Sequence, residues 1–251
     1  MTYPSKQSSY SVKCANCPLR KLPLFESFSA ETLRYMETFK IGELTVNPGT
    51  TLLMEGSNSP QLYTALTGMG TRYKTLENGD RQVVNFVFPG DFLGLQAGVM
   101  GEMKHSAEAV TQMTLCVFDR ASLWGLFQTE PDRAFDLTWL AAMEEHFLGE
   151  SLATIGQLDG RSRIAWALTR IFLRLRALQL GTKTSVPLPY RQQDLADTVG
   201  ISLVHTNKTL QALKREKLAD WSDGTLTIPS LALLAEIGEI DPERPLLRPL
   251  I

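Results

Sequence analysis

The residues with the most chemistry to offer are three cysteines and three histidines. Cys14 and Cys17 stand at C-x-x-C spacing in CANCPLRKL (14–22), and Cys116 lies far downstream in MTLCVF. Thiolates at that spacing can hold zinc or part of an iron–sulfur cluster. Such pairs also often have lowered thiol pKa values and oxidise readily, which makes a disulfide switch a third reading. No metal at all is the leading one. The histidines, His105, His146 and His205, form no His-x-His pair. With no nucleophile–histidine–carboxylate pattern and no phosphate-cradling glycine loop, nothing points to an enzyme.

The chain has 251 residues and a net charge of −2, enough length for two cores. The charge is segregated. Residues 159–217 carry 11 Lys and Arg against 4 Asp and Glu, while residues 1–158 carry 12 against 17 and residues 218–251 carry 2 against 6. A basic stretch between acidic neighbours is the footprint of a phosphate-backbone binder. No apolar run of about 18 residues predicts a membrane span. The polar N-terminus lacks the apolar core of a secretory signal. An odd cysteine count fits a reducing cytoplasm.

These residues need elements to position them. From Ile41 to Phe118 short apolar runs are punctuated at NPGT, EGSNSP, TGMG, ENGD and FPGD, the spacing of an antiparallel sandwich or barrel. Asn78-Gly79 predicts a hairpin with a tight primed turn. A cupin enzyme would use such a barrel, but its closely spaced metal histidines are missing. After Pro131 the period becomes helical for about 28 residues. Leu140, Met143 and Phe147 recur on it at helical spacing, as do Leu148, Leu152 and Ile155, and the length asks for a second surface: a parallel dimer seam. Asp159-Gly160 breaks the pattern as a hinge. An amphipathic helix over Arg163–Leu180 follows.

YRQQDLADTVGISLVHTNKTLQALKREKLADW (190–221) then predicts a short helix Gln192–Val199, a turn at Gly200-Ile201-Ser202, and a second helix from Leu203 to about Glu216. Ser202 caps that second helix. Leu195, Val199, Ile201, Leu210 and Leu213 make an apolar underside. This is a helix-turn-helix inside the basic segment. A hairpin around Asp223-Gly224 supplies a wing. The proline-rich tail EIDPERPLLRPLI is expected to pack loosely.

A β-roll ending in GDFLG (90–94), a long helix, LDGRSRIA (158–165) and a winged helix-turn-helix together resemble the cyclic-AMP receptor protein and fumarate–nitrate regulator (CRP/FNR) family of bacterial transcription regulators. The resemblance covers about residues 22–235. It implies an α+β chain with four parts. These are an N-terminal cysteine-containing lead-in (1–21), a sensory antiparallel β-roll, jelly-roll-like (22–130), a dimerisation helix (131–159) and a C-terminal winged helix-turn-helix DNA-binding domain (160–251). It also implies a cytoplasmic homodimer on double-stranded DNA, a roughly two-fold site, and RNA polymerase as a partner.

The resemblance further assigns residues. Where the cyclic-AMP pattern has a glutamate after the GDFIG-like turn, this chain has Leu95. Where it has Arg-Ser, this chain has His105-Ser106, and Leu148-Gly149 replaces the Thr-Ser pair that meets the adenine. Leu95 accepts no hydrogen bond and a neutral His105 is a poor phosphate clamp, so control by cyclic AMP is not expected. Cys14, Cys17 and Cys116 fall where the oxygen-sensing branch has three of its four cluster cysteines, and the remaining one is missing. Redox or metal sensing through these thiols is the alternative function; a regulatory module acting through protein contacts is another. On the recognition helix, Leu203, Val204, His205, Asn207 and Lys208 face the groove. Lys208 stands where the family reads guanine with arginine, and Val204 replaces a glutamate that reads cytosine. Ser202, Gln192, Arg191 and Lys214 are phosphate candidates.

Overall fold

The computed structural model describes residues 12–242 and 247–251. The lead-in is therefore seen only from Val12, and the polar N-terminal stretch read as lacking a secretory signal lies almost wholly outside the described residues.

A helix that the sequence reading did not anticipate, α1 (Ala30–Phe39), precedes the sheets. Ser29 caps it, its side chain accepting from the Thr32 amide at 3.0 Å. Eight strands follow: β1 (Lys40–Val46), β2 (Thr51–Leu53), β3 (Gln61–Thr67), β4 (Gly70–Thr75), β5 (Arg81–Val87), β6 (Phe92–Leu93), β7 (Ser106–Ala109) and β8 (Met113–Asp119). They form two four-stranded sheets, ordered β1-β8-β3-β6 and β2-β7-β4-β5, whose neighbouring strands pair antiparallel. This is the expected roll. Along β8 the period of two sorts side chains: Met113, Leu115 and Val117 join the inter-sheet core, while Cys116 and Phe118 face away from it.

The hairpin at Asn78-Gly79 exists, but its turn is not of the primed type. Only Gly79 has positive φ (86°), and Leu76 pairs with Asp80 across a three-residue loop. The Asn78 side chain accepts from the Asp80 amide at 3.0 Å and holds that wider turn.

Short helices α2 (Leu95–Met100) and α3 (Leu123–Thr129) flank the roll. The long helix α4 runs Pro131–Gln157, with proline in its first turn. The break falls as expected at Asp159, whose carboxylate accepts from the Ser162 amide at 2.8 Å and caps α5 (Gly160–Ala177). Ile164, Leu168, Ile171, Phe172 and Leu175 make α5 the spine of the second core. Strand β9 (Ser185–Pro187), helices α6 (Gln192–Val199) and α7 (Leu203–Arg215), strands β10 (Asp220–Ser222) and β11 (Thr225–Thr227), and α8 (Leu231–Ile237) complete that domain. The wing hairpin turns through Asp223 (φ 51°) and Gly224 (φ 68°) and is extended by β9 into a three-stranded sheet.

Among the described residues of the tail, Arg248–Ile251 do not pack loosely. Arg248 bridges in parallel to Phe25, and Leu250 and Ile251 are buried against the roll.

Candidate nucleic-acid interface and sensory pocket

Helices α6 and α7 cross as a helix-turn-helix. Leu195, Val199, Leu210 and Leu213 are buried beneath them, with Ile201 packed against the same core. The Ser202 hydroxyl accepts from the His205 amide at 3.2 Å, so the cap read from the sequence forms. On α7, Thr206, Thr209, Leu210 and Leu213 face inward. The outward face therefore runs through Leu203, Val204, Asn207 and Lys208, all exposed, and continues to Gln211 and Arg215. The helical period carries that stripe past Lys208, a signal present in the sequence that the reading stopped short of using.

Four candidates have surroundings that spacing in the sequence does not give. The His205 imidazole lies over the first residue of α5: a methyl group on Gly160 would come within 2.9 Å of its Nε2. It is exposed, but it turns toward the hinge because it sits about one helical step off the stripe. Arg191 is tied to its own helix, its guanidinium donating to Asp194 at 2.7 and 3.3 Å. Gln192 is half-buried on the first turn of α6. Lys214 pairs with Asp220 at 2.9 Å, leaving its ammonium half-exposed at the wing.

The effector candidates meet a real cavity. About 640 Å³ of space separates the roll from α4, and Leu95, His105 and Leu148 all line it. Ser106 is not among its lining. It is buried, and its hydroxyl accepts from the Glu55 amide at 3.0 Å, which commits it to the backbone of the neighbouring loop. Two cations line the pocket, Arg72 from mid-strand β4 and Arg248 from far along the chain, and spacing in the sequence points to neither. Arg72 pairs with Glu144 of α4 at 3.0 Å and donates to the Phe92 carbonyl at 3.1 Å. Burial, then the neighbouring Arg72, pushes the His105 pKa down to about 4, so its imidazole is neutral near pH 7.

Cys14, Cys17 and Cys116 do come together, around a cavity of about 30 Å³ that also touches Lys40 and Ile251. That space holds about one water. The Cys14 thiol points at the Met36 carbonyl, 3.7 Å away. Burial raises the pKa of Cys14 and pushes that of Cys116 up to about 12, against the pull of Lys40. Among the described residues, no group of three or more His, Cys, Asp or Glu side chains could hold a metal ion. The thiols thus do not fit an iron–sulfur cluster or zinc, and the lowered pKa expected of C-x-x-C is reversed at Cys14 by desolvation.

On α4, the six residues expected at the dimer seam divide. Leu140 is buried against the roll, and Phe147 stacks on Trp166 with ring centroids 6.0 Å apart. Met143 lines the cleft between α4 and α5, and Ile155 faces Gly200 of the helix-turn-helix. Leu148 and Leu152 remain exposed. No helix of the described residues is long and apolar enough to cross a membrane.

A β-roll with a helix-bordered cavity, joined to a winged helix-turn-helix with an exposed recognition face, defines a DNA-binding transcription regulator. Residues 43–130 match the family model described as a cyclic nucleotide-binding domain, and residues 162–237 match the Crp-like helix-turn-helix domain. The nitrogen fixation regulation protein FixK of Bradyrhizobium diazoefficiens is 30% identical over 203 residues, covering 80% of this chain and 84% of that one. The transcriptional activator protein FnrL of Cereibacter sphaeroides is 26% identical, covering 81% and 82%. The solved structure of FixK2 from Bradyrhizobium japonicum shares the fold at 22% identity with a TM-score of 0.70, covering 78% of this chain and 96% of that chain. The chain belongs to the CRP/FNR family of transcription regulators.

Proposed function

We propose that the chain works as a cytoplasmic homodimer on a roughly two-fold DNA site, contacts RNA polymerase there, and answers a signal other than cyclic AMP. The observation that carries the DNA reading is the α7 stripe, exposed from Leu203 to Arg215 above a buried underside. Lys208 donates to guanine O6 and N7, Val204 packs on a thymine methyl, and Asn207 is the polar base contact between them. Ser202, Gln192 and the wing side near Lys214 meet phosphates, with Arg191 reaching one only by giving up Asp194. Dimerisation covers Leu148 and Leu152.

Against cyclic AMP stand the apolar Leu95 and Leu148, the neutral His105 and the prior engagement of Arg72 by Glu144. The pocket instead suits a largely apolar effector.

Selection of bound DNA from a random pool, followed by titration of the selected site at several salt concentrations, tests the reading. A two-fold motif with a steep salt dependence is expected. Lys208→Ala relaxes preference at one base pair per half-site, at a cost of about 1–3 kcal/mol. Failure to enrich any motif, with salt-independent binding, overturns it.

A further inference from the structure

Residues 248–251 occupy a groove on the roll that nothing in the family resemblance assigns. Arg248 takes a strand-like place beside residues 24–26: its amide donates to the Leu24 carbonyl at 2.9 Å, and its carbonyl accepts from the Glu26 amide at 2.9 Å. Thr64 of β3 donates its hydroxyl to the Ile251 carbonyl at 2.5 Å. Leu250 and Ile251 are 4% and 5% exposed and wall the cavity that holds the three thiols. The tip of the Phe25 ring closes on Gly90, where any side chain would collide with it (2.2 Å to Cζ). That close approach carries the Leu24–Glu26 segment over Asp91.

Asp91 joins the groove to the DNA-binding domain. Its Oδ1 accepts from Arg248 at 3.1 Å and from Arg174 of α5 at 2.9 Å, while its Oδ2 accepts from the Phe88 amide at 2.8 Å. The contact continues through Tyr190, which packs on Phe86 (centroids 4.6 Å apart) and donates to the Val87 carbonyl, and through Gln82, which donates to the Asp197 carbonyl of α6. One carboxylate therefore serves two guanidiniums, one from the tail and one from α5. When Arg248 leaves, Asp91 keeps Arg174, so departure strands no buried charge. The tail is held by two backbone hydrogen bonds, the Arg248–Asp91 pair and the burial of Leu250 and Ile251.

We infer that this groove is a peptide-binding site for an Arg-Pro-apolar-apolar sequence, occupied in cis by Arg248–Ile251, and that its occupancy fixes the DNA-binding domain against the roll. It rests on the reading of the chain as a DNA-binding regulator only for its consequence, since the binding itself involves no DNA.

The test uses a chain ending at Leu246 and a fluorescent peptide of residues 247–251, LRPLI. Saturable binding is expected, absent for a scrambled peptide and weakened about tenfold or more by Asp91→Asn. In hydrogen exchange, the shortened chain is expected to lose protection at residues 24–26, 82–91 and 190–199, and the peptide to restore it. If the shortened chain does not fold, Arg248→Met in the full chain is expected to lose protection over the same three segments. Peptide binding no better than the scrambled control, or unchanged protection in the folded variant, overturns the inference. Failure to bind DNA with these results intact would overturn the functional reading and leave the groove standing.

Discussion

Replacing Leu148 and Leu152 together by alanine tests the dimer. These two side chains project from α4 on the same face, 49% and 73% exposed within one chain. Each leucine-to-alanine change removes about three buried carbons, worth roughly 0.8 kcal/mol apiece when fully covered. Scaled by the exposed fraction that a partner could cover, the pair contributes about 3 kcal/mol per protomer and about 6 kcal/mol per dimer, an upper estimate. At 1.4 kcal/mol per factor of ten, the dimer dissociation constant should rise by about four orders of magnitude. Sedimentation equilibrium across a concentration series reads this directly. Phe147→Ala is the control: its ring stacks on Trp166 inside one chain, so it should lower the melting temperature and leave the dimer constant within about tenfold. A double variant that dimerises like the wild type, beside a Phe147→Ala that does not, would refute the assignment of this face and move the seam to the other side of α4.

In an NMR titration, the His105 ring should show a midpoint near 4, well below that of an exposed histidine. Because the unfolded chain takes up this proton near pH 6.5 and the folded chain only near 4, stability should rise with pH through that window and be flat above it. A midpoint above 6 would show that the pocket does not bury the ring. Cys116, with its pKa pushed up to about 12, should react with a thiol reagent at pH 8 only after unfolding, while prompt labelling in the native protein would contradict its burial. Cyclic AMP should produce no calorimetric heat of binding with the wild-type chain. A saturable isotherm would mean that Arg72 leaves Glu144 to take the phosphate.

Sequence period was informative wherever local structure carries its own punctuation. Helix α6 was read to the residue, and α7 to within one, because Gly200, Ser202 and the 3.6-residue recurrence of Leu195, Val199, Leu210 and Leu213 mark both ends and the buried side. The β-roll was legible from its turns, though the Asn78-Gly79 turn type was not, since a side-chain hydrogen bond rather than the dipeptide chose it. Helix α1 carries its own signal as well, since Ser29 caps it and Leu33, Met36 and Phe39 recur at helical spacing, although none of the expectations above used it.

The candidate sites divide along the same line. Local pattern determined the β-roll, the long helix and the recognition helix, because each depends on residues within a few turns of one another; the reading of Leu95 and His105 came from the family resemblance. Tertiary structure alone decided the rest. It turned His205 toward Gly160, buried Ser106, and supplied Arg72 to the pocket. It brought Cys116 beside the Cys14–Cys17 pair around a space of about 30 Å³, and it brought Arg248 to Asp91 across 157 residues. Those outcomes depend on which faces meet and on what water is excluded there, and spacing along a chain encodes neither.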